Sequence, residues 1–179
     1  MNDVTMRAPT IETPRLILRA HRLADFADGA AMWGSDEVVR YISGRPASAE
    51  EAWARLLRYA GHWTLLGFGY WAIEEKSSGR FAGEAGFAEF KRAVDSAYRD
   101  APEIGWVLAP WAQGRGYATE AVRAAVAWGD EHLPDKRTWC MIHPDHRASI
   151  RVAEKCGYHL AERANYKGEV LIFARAVER

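Results

Sequence analysis

WVLAPWAQGRGYATE, residues Trp106–Glu120, is the stretch that decides the fold. An apolar, β-rich run from Glu103 to Leu108 is closed by Ala109 and Pro110, because proline cannot donate to a strand ladder. Gln113, Gly114, Arg115 and Gly116 follow. From Tyr117 to Glu131 the residues Ala118, Ala121, Val122, Ala125 and Val126 then mark one helical stripe. Strand, glycine loop and helix in immediate succession outline an anion site. Glycines let the backbone turn sharply and come close to a ligand. The free N–H groups of the first helical turn meet that ligand with the positive end of the helix dipole. Phosphate is the natural occupant, with the Arg115 guanidinium as a cationic fork and the Thr119 hydroxyl as a further donor. Two phosphate loops are excluded by spacing: G-x-x-x-x-G-K-[ST] is absent, and Thr119 stands where G-x-G-x-x-G requires glycine.

Working outward, Arg137 to Ile142 reads as a strand, Ala148 to Lys155 as a short helix, and Tyr158 to Arg163 and Val170 to Val177 as two closing strands. Upstream, RLILR at Arg15–Arg19 suits a first strand, with residues 1–12 as a flexible tail before it. Asp25 to Tyr41 fits one or two short helices. Ser48 and Glu51 have capping-box spacing for a helix over about 49–63. Phe68 to Glu74 and Arg80 to Phe90 form a hairpin about the turn cluster Lys76–Gly79. The pattern predicts a mixed sheet covered by helices in one domain spanning residues 1–179, without internal repeat or linker.

The 179 residues carry 24 Lys and Arg against 24 Asp and Glu, so the basic field on which phosphate-backbone binding relies is absent and nucleic acid is not an expected partner. The longest uncharged stretch, Tyr59 to Ile73, is too short and too polar to span a bilayer. Met1 to Pro9 lacks the apolar segment of a secretory signal, and two cysteines make no disulfide framework, which points to a reducing, cytoplasmic setting. Cys140, His143 and His146 offer no fourth ligand in step, so no metal is expected. Cys156 reads as a small buried side chain ahead of the helix cap Gly157. Eight tryptophans, three of them at 53, 63 and 71, read mainly as core and leave room for a homodimer.

QGRGYA resembles the Q-x-x-G-x-A pyrophosphate signature of the GNAT acyltransferases. TPRLILR, EIGWVLAP, YATEAV and HPDHRASIRVAEKCGY extend the resemblance over roughly residues 13 to 160, toward the branch that acetylates ribosomal-protein N-termini. The resemblance implies an α/β, GNAT-like mixed and mostly antiparallel twisted sheet flanked by helices. It also implies acetyl-CoA as cosubstrate and a small-molecule or peptide amine as acceptor. By the same resemblance the backbone of Val107 and Leu108 pairs with the pantetheine arm. The amides of Gln113, Gly114, Arg115, Gly116, Tyr117, Ala118 and Thr119 hold the pyrophosphate. His146 stands where the family usually has Asn, and Ala153 where many relatives carry the Tyr that protonates the thiolate. Ser149 matches the serine proposed for that role in the ribosomal-protein branch.

Attack on a thioester requires a neutral amine, and amine pKa values near 8 to about 10.4 make a base useful. Glu103, where these enzymes often place a base, is the first candidate and Glu84 the second. The Leu108 N–H is the candidate oxyanion donor. The expected reaction is direct attack by the amine in a ternary complex. The competing reading is a non-catalytic acyl-CoA-binding domain. The acceptor side is expected from the helices between 25 and 63 and the turn near Asn165–Glu169, neither of which carries a readable motif.

Overall fold

The computed structural model describes residues 8–175. Eight strands form one sheet: β1 (Ile11–Glu12), β2 (Leu16–Arg19), β3 (Tyr70–Glu75), β4 (Phe81–Ala88), β5 (Glu103–Leu108), β6 (Thr138–Ile142), β7 (His159–Asn165) and β8 (Glu169–Arg175). Their order across the sheet is β1-β2-β3-β4-β5-β6-β8-β7. Every neighbouring pair is antiparallel except β5 and β6. The expected mixed, mostly antiparallel architecture is what the chain adopts.

Five helices cover the sheet: α1 (Phe26–Trp33), α2 (Asp36–Val39), α3 (Ala49–Leu66), α4 (Tyr117–His132) and α5 (Arg147–Lys155). The Ser48 hydroxyl accepts from the Glu51 N–H while the Glu51 carboxylate accepts from the Ser48 N–H, so the capping box starts α3 where its spacing predicts. The helix runs one turn beyond 63 and stops at Gly67, whose φ of 76° is the left-handed conformation a helix C-cap favours. Beneath α4, the fully buried Ala121, Val122 and Ala125 pack with Trp71, Ile73 and Ile104 in the main core. On the opposite face Met32 and Trp33 of α1 and Val38 of α2 pack on Ala72 and Val107. Trp63 and Trp71 are core residues as expected, whereas Trp53 is exposed.

The segment expected to be a tail needs correction. Residues 1–7 lie outside the described residues, but Ile11 and Glu12 pair with Leu18 and Ile17, and Pro9 C=O accepts from the Trp71 indole at 2.8 Å. These contacts satisfy edge groups of β2 and fix the chain before Thr13. The last expected strand is described as far as Arg175, and its Ala176 and Val177 lie outside the described residues.

The one parallel pairing positions the site. β5 and β6 share a single register pair, Glu103 with Trp139, supported by the Trp139 N–H to Pro102 C=O bond at 3.2 Å. Beyond it the strands part, leaving the edge of β5 from Ile104 to Leu108 open toward β6. Among the described residues no helix is long and apolar enough to cross a membrane.

Candidate active site

Backbone phase along β5 determines what faces the gap. Ala109 N–H donates to Ala82 C=O at 2.9 Å, and antiparallel pairs alternate between bonded and non-bonded. In the register that aligns Val107 with Glu84 and Leu108 with Gly83, residues 103, 105 and 107 direct their backbone groups to β4. Ile104, Trp106 and Leu108 direct theirs into the gap. The Val107 carbonyl oxygen lies 2.2 Å from where a Cβ on Gly83 would sit, at φ 151°, so its direction toward β4 is independently fixed. The expectation that Val107 pairs through its backbone is thereby corrected: Leu108 and Trp106 present the open edge, and Val107 lines the cleft without free backbone groups.

The cleft encloses about 390 Å³ and lies between α2 and α5, with Trp106, Val107 and Leu108 as its floor. At one end the loop Gln113–Gly116 turns into α4. Gly116 caps the helix with φ 79°, and Gly114 has φ 72°, a left-handed conformation that side chains with a Cβ resist. The first intrahelical bond runs from Glu120 N–H to Gly116 C=O. The amides of Tyr117, Ala118 and Thr119 therefore precede the ladder and carry the positive end of a 16-residue helix. Gln113, Gly114, Gly116, Tyr117, Ala118 and Thr119 all border the cleft.

Arg115 does not border it. Its guanidinium turns to Glu75 at 2.9 Å, and the Tyr117 hydroxyl donates to the same carboxylate oxygen at 2.5 Å. Hydrogen bonds from Ser78 and Tyr117 hold Glu75 below the ordinary carboxylate range, with Arg115 adding to them. The predicted cationic fork over a phosphate is thus engaged elsewhere. The cations that do border the cleft are Arg151 and Lys155, on α5.

The facing wall carries His146 and Ser149. His146 caps α5 with its backbone, and its Nε2 lies 3.3 Å from the Ser149 hydroxyl. Tyr41 stacks on the imidazole with ring centroids 4.9 Å apart. Burial, followed by the neighbouring His143, pushes the His146 pKa below its ordinary value, so the ring is neutral at pH 7. Cys156 closes α5, its thiol pushed up to about 11 by burial, and Cys140 is buried within β6, so neither presents a ready thiolate.

The two candidate bases lie on the same sheet face but in different surroundings. Glu84 stands directly opposite Val107. One of its oxygens accepts from the Trp33 indole N–H at 2.9 Å, and the other lies 3.3 Å from His21 Nε2. His21 was not a sequence candidate. It comes from the turn after β2, which Arg19 pins by a two-pronged ion pair to buried Asp25 at 2.8 Å and a 2.7 Å bond to Glu74. Glu103 is instead gripped by Arg92 at 2.6 and 3.0 Å. Burial pushes its carboxyl above the ordinary range while Arg92 pulls it back. Four residues of strand, about 13 Å, separate it from Val107, and the Tyr70 hydroxyl covers Gly105 between them. Tyr70 in turn stacks on Tyr59 at 4.4 Å. Neither carboxylate lines the cleft: Glu84 pairs across the strands with Val107 of its floor, whereas Glu103 lies farther along β5 behind the Tyr70 hydroxyl.

The fold is shared with known proteins. The model of the acetyltransferase (GNAT) domain family matches residues 15–159. The "Uncharacterized N-acetyltransferase YoaA" of Bacillus subtilis (strain 168) is 30% identical over 151 residues, 84% of this chain and 82% of that protein. YkkB of the same organism is 34% identical over 96 residues, and the chain spans about half of its length, 54%. Among solved structures, an acetyltransferase from Agrobacterium tumefaciens str. C58 superposes with a TM-score of 0.81 at 26% identity, covering 99% of each chain. RimL, a ribosomal L7/L12 alpha-N-protein acetyltransferase in complex with coenzyme A, shares the fold with a TM-score of 0.76 at 18% identity, over 94% of this chain and 98% of its own.

Proposed function

The chain belongs to the GNAT acetyltransferase family, and on that footing we propose that it transfers an acetyl group from acetyl-CoA to a primary amine by direct attack in a ternary complex. The observation carrying this reading is the convergence of three features on one cleft: the open edge of β5, the uncapped amides of α4 and the Ser149–His146 pair.

In this proposal the pyrophosphate rests on the amides from Gly114 to Thr119, Arg115 contributing through its backbone alone; the expected Gln113 backbone amide is not among them, because it donates to the Pro110 C=O at 3.2 Å. Arg151 and Lys155 supply charge to the outer phosphate. The pantetheine arm lies along the β5 edge as an added strand, meeting the backbone groups of Trp106 and the N–H of Leu108, whose C=O accepts from Gln113. The Leu108 N–H then points at the thioester oxygen and stabilises the negative charge that develops there. Ser149, in contact with the His146 imidazole, passes a proton to the departing thiolate and takes one from water in its place. Ala153 leaves no phenol at the position where relatives have one, and Ser149 is the hydroxyl that α5 presents to the cleft.

The amine proton goes to Glu84, whose carboxylate flanks Val107 and is oriented by Trp33 and His21. Glu103 is assigned to structure, since Arg92 holds it as an ion pair and the Tyr70 hydroxyl covers the strand between it and Val107. The two free, buried thiols are consistent with a reducing, cytoplasmic setting. The test is acetyl-CoA turnover, read as release of the free thiol, with a panel of α-amines, ω-amines and N-terminal peptides. Saturable release with at least one amine is expected. Tight acetyl-CoA binding without release by any amine would replace this reading with the non-catalytic acyl-CoA-binding one.

A further inference from the structure

A second pocket, of about 260 Å³, opens between the loop at Ser43–Ala47 and α3. Three guanidiniums, Arg45, Arg55 and Arg58, line it together with one carboxylate, Glu51. Glu51 is already committed. Arg45 grips both its oxygens at 2.9 and 2.5 Å and the Ser48 N–H occupies it as well. Those bonds, the one from Arg45 foremost, hold the Glu51 carboxyl down at about 2. Among the described residues no carboxylate lies within 4.0 Å of Arg55 or Arg58. In a chain of zero net charge this is a local positive excess.

Arg55 is the informative member. Its guanidinium carbon lies over the Trp33 ring, 3.6 Å from the centroid, a cation–π contact that holds the side chain in place. Its Nε is buried and has no hydrogen-bond partner, and it is the one such side-chain atom among the described residues. That atom is closed to solvent, so what Arg55 offers an acceptor in the pocket is the remainder of its guanidinium. A planar fork with free N–H groups matches a carboxylate, which can accept two parallel bonds.

Trp33 connects this pocket to the chemistry. One face of its ring carries Arg55, and its Nε1–H holds Glu84 at 2.9 Å. The Tyr59 hydroxyl feels the charges of both Glu84 and Arg55. Neither Trp33 nor Glu84 lines the pocket, so an acceptor with its anion at Arg55 and its amine at Glu84 has to reach round this buried indole. We propose that this pocket, with Arg55 as its principal cation, binds the carboxylate of the acceptor. The enzyme would then select primary amines that carry a carboxylate, such as amino acids, and disfavour polycationic amines. The inference rests on the acetyl-transfer reading above and names its acceptor class.

The experiment compares initial rates of thiol release for glycine, β-alanine and γ-aminobutyrate with those for their amides, for aminomethylphosphonate and for spermidine. At the best spacing the carboxylate should exceed its amide at least tenfold in kcat/KM. Arg55→Gln should erase that preference by raising KM for the acid at least tenfold more than KM for the amide; Arg55→Lys, which keeps the charge without the fork, should restore only part of it. Equal rates for acid and amide, or a preference that survives in Arg55→Gln, would overturn the assignment while leaving acetyl transfer intact. A phosphonate preferred over every carboxylate would overturn the choice of anion. If no amine is turned over, the transferase reading fails separately. Calorimetry with N-acetyl-β-alanine and its amide then decides the pocket: Arg55-dependent binding of the acid alone upholds it, and no binding ends it.

Discussion

The side-chain amide of Gln113 donates to the Leu108 carbonyl across 3.1 Å, tying the glycine loop back to the end of the strand that precedes it. Of the two backbone groups Leu108 turns into the gap, the C=O is therefore satisfied from within the chain and the N–H is left to a ligand. One bond thus sets the orientation of the loop relative to the strand and gives the strand end the polarity of a donor, as an oxyanion site requires.

Gly116→Val should weaken coenzyme A binding by tenfold or more. The residue caps α4 at φ 79°, where a β-branched side chain is strained, and a Cβ would approach the Arg15 guanidinium at 3.4 Å. Calorimetric titration with coenzyme A on protein of unchanged circular dichroism checks this. Unchanged affinity would remove the loop from the site.

Ser149→Ala should lower kcat by about 10-fold to 10³-fold with little change in the acetyl-CoA dissociation constant, because the hydroxyl matters as negative charge grows on sulfur. Equal losses in binding and turnover would return Ser149 to a packing role against His146.

The two glutamates should separate by readout. Glu84→Gln should reduce kcat about 10²-fold or more, the scale of general-base catalysis, with partial recovery at higher pH as the free amine accumulates. Glu103→Gln should instead cost about 3 kcal/mol of stability, because it leaves Arg92 short of its ion-pair partner beneath Tyr166. Urea denaturation and steady-state kinetics on both variants distinguish them. A stable but inactive Glu103→Gln would reverse the assignment.

His146 gives a signed pH effect. Its folded-state pKa is depressed, so between that value and the ordinary 6.5 the unfolded chain holds more protons and stability rises with pH. As pH falls from 7 through the folded pKa, His146 should progressively destabilise the wild type, and His146→Asn should show a shallower decline. Thermal midpoints of the two proteins at pH 7, 6 and 5 test the difference. Parallel curves would mean that the ring is free to protonate in place.

The strand at Glu103–Leu108, the loop glycines and the α4 stripe were legible because periodicity, proline and glycine act locally. What escaped was set by distant partners. Arg115 looked like a phosphate ligand until Glu75, forty residues upstream, took its guanidinium. His21 had no local signature because its meaning comes from Glu84, sixty-three residues away. Backbone direction was equally hidden: Val107 and Leu108 differ by one residue, and only pairing with β4 decides which of them faces the gap. Ile11 and Glu12 form a strand only because Ile17 and Leu18 offer them an edge.

The lone pairing of Glu103 with Trp139 also divides the sheet in time. Contiguous hydrogen-bonded blocks open as cooperative units, and here β1–β5 and β6–β8 meet across a seam of one register pair. In the free protein their amides should exchange with deuterium as two populations with different opening free energies. A pantetheine arm laid along Trp106 and Leu108 would bind only the closed seam and so raise the protection of both blocks together. Mass-resolved exchange with and without coenzyme A would register this as a merging of the two populations, and a single population in the free protein would refute it. The cosubstrate would then be a mechanical part of the folded enzyme, stitching two halves that its own backbone leaves almost unsewn.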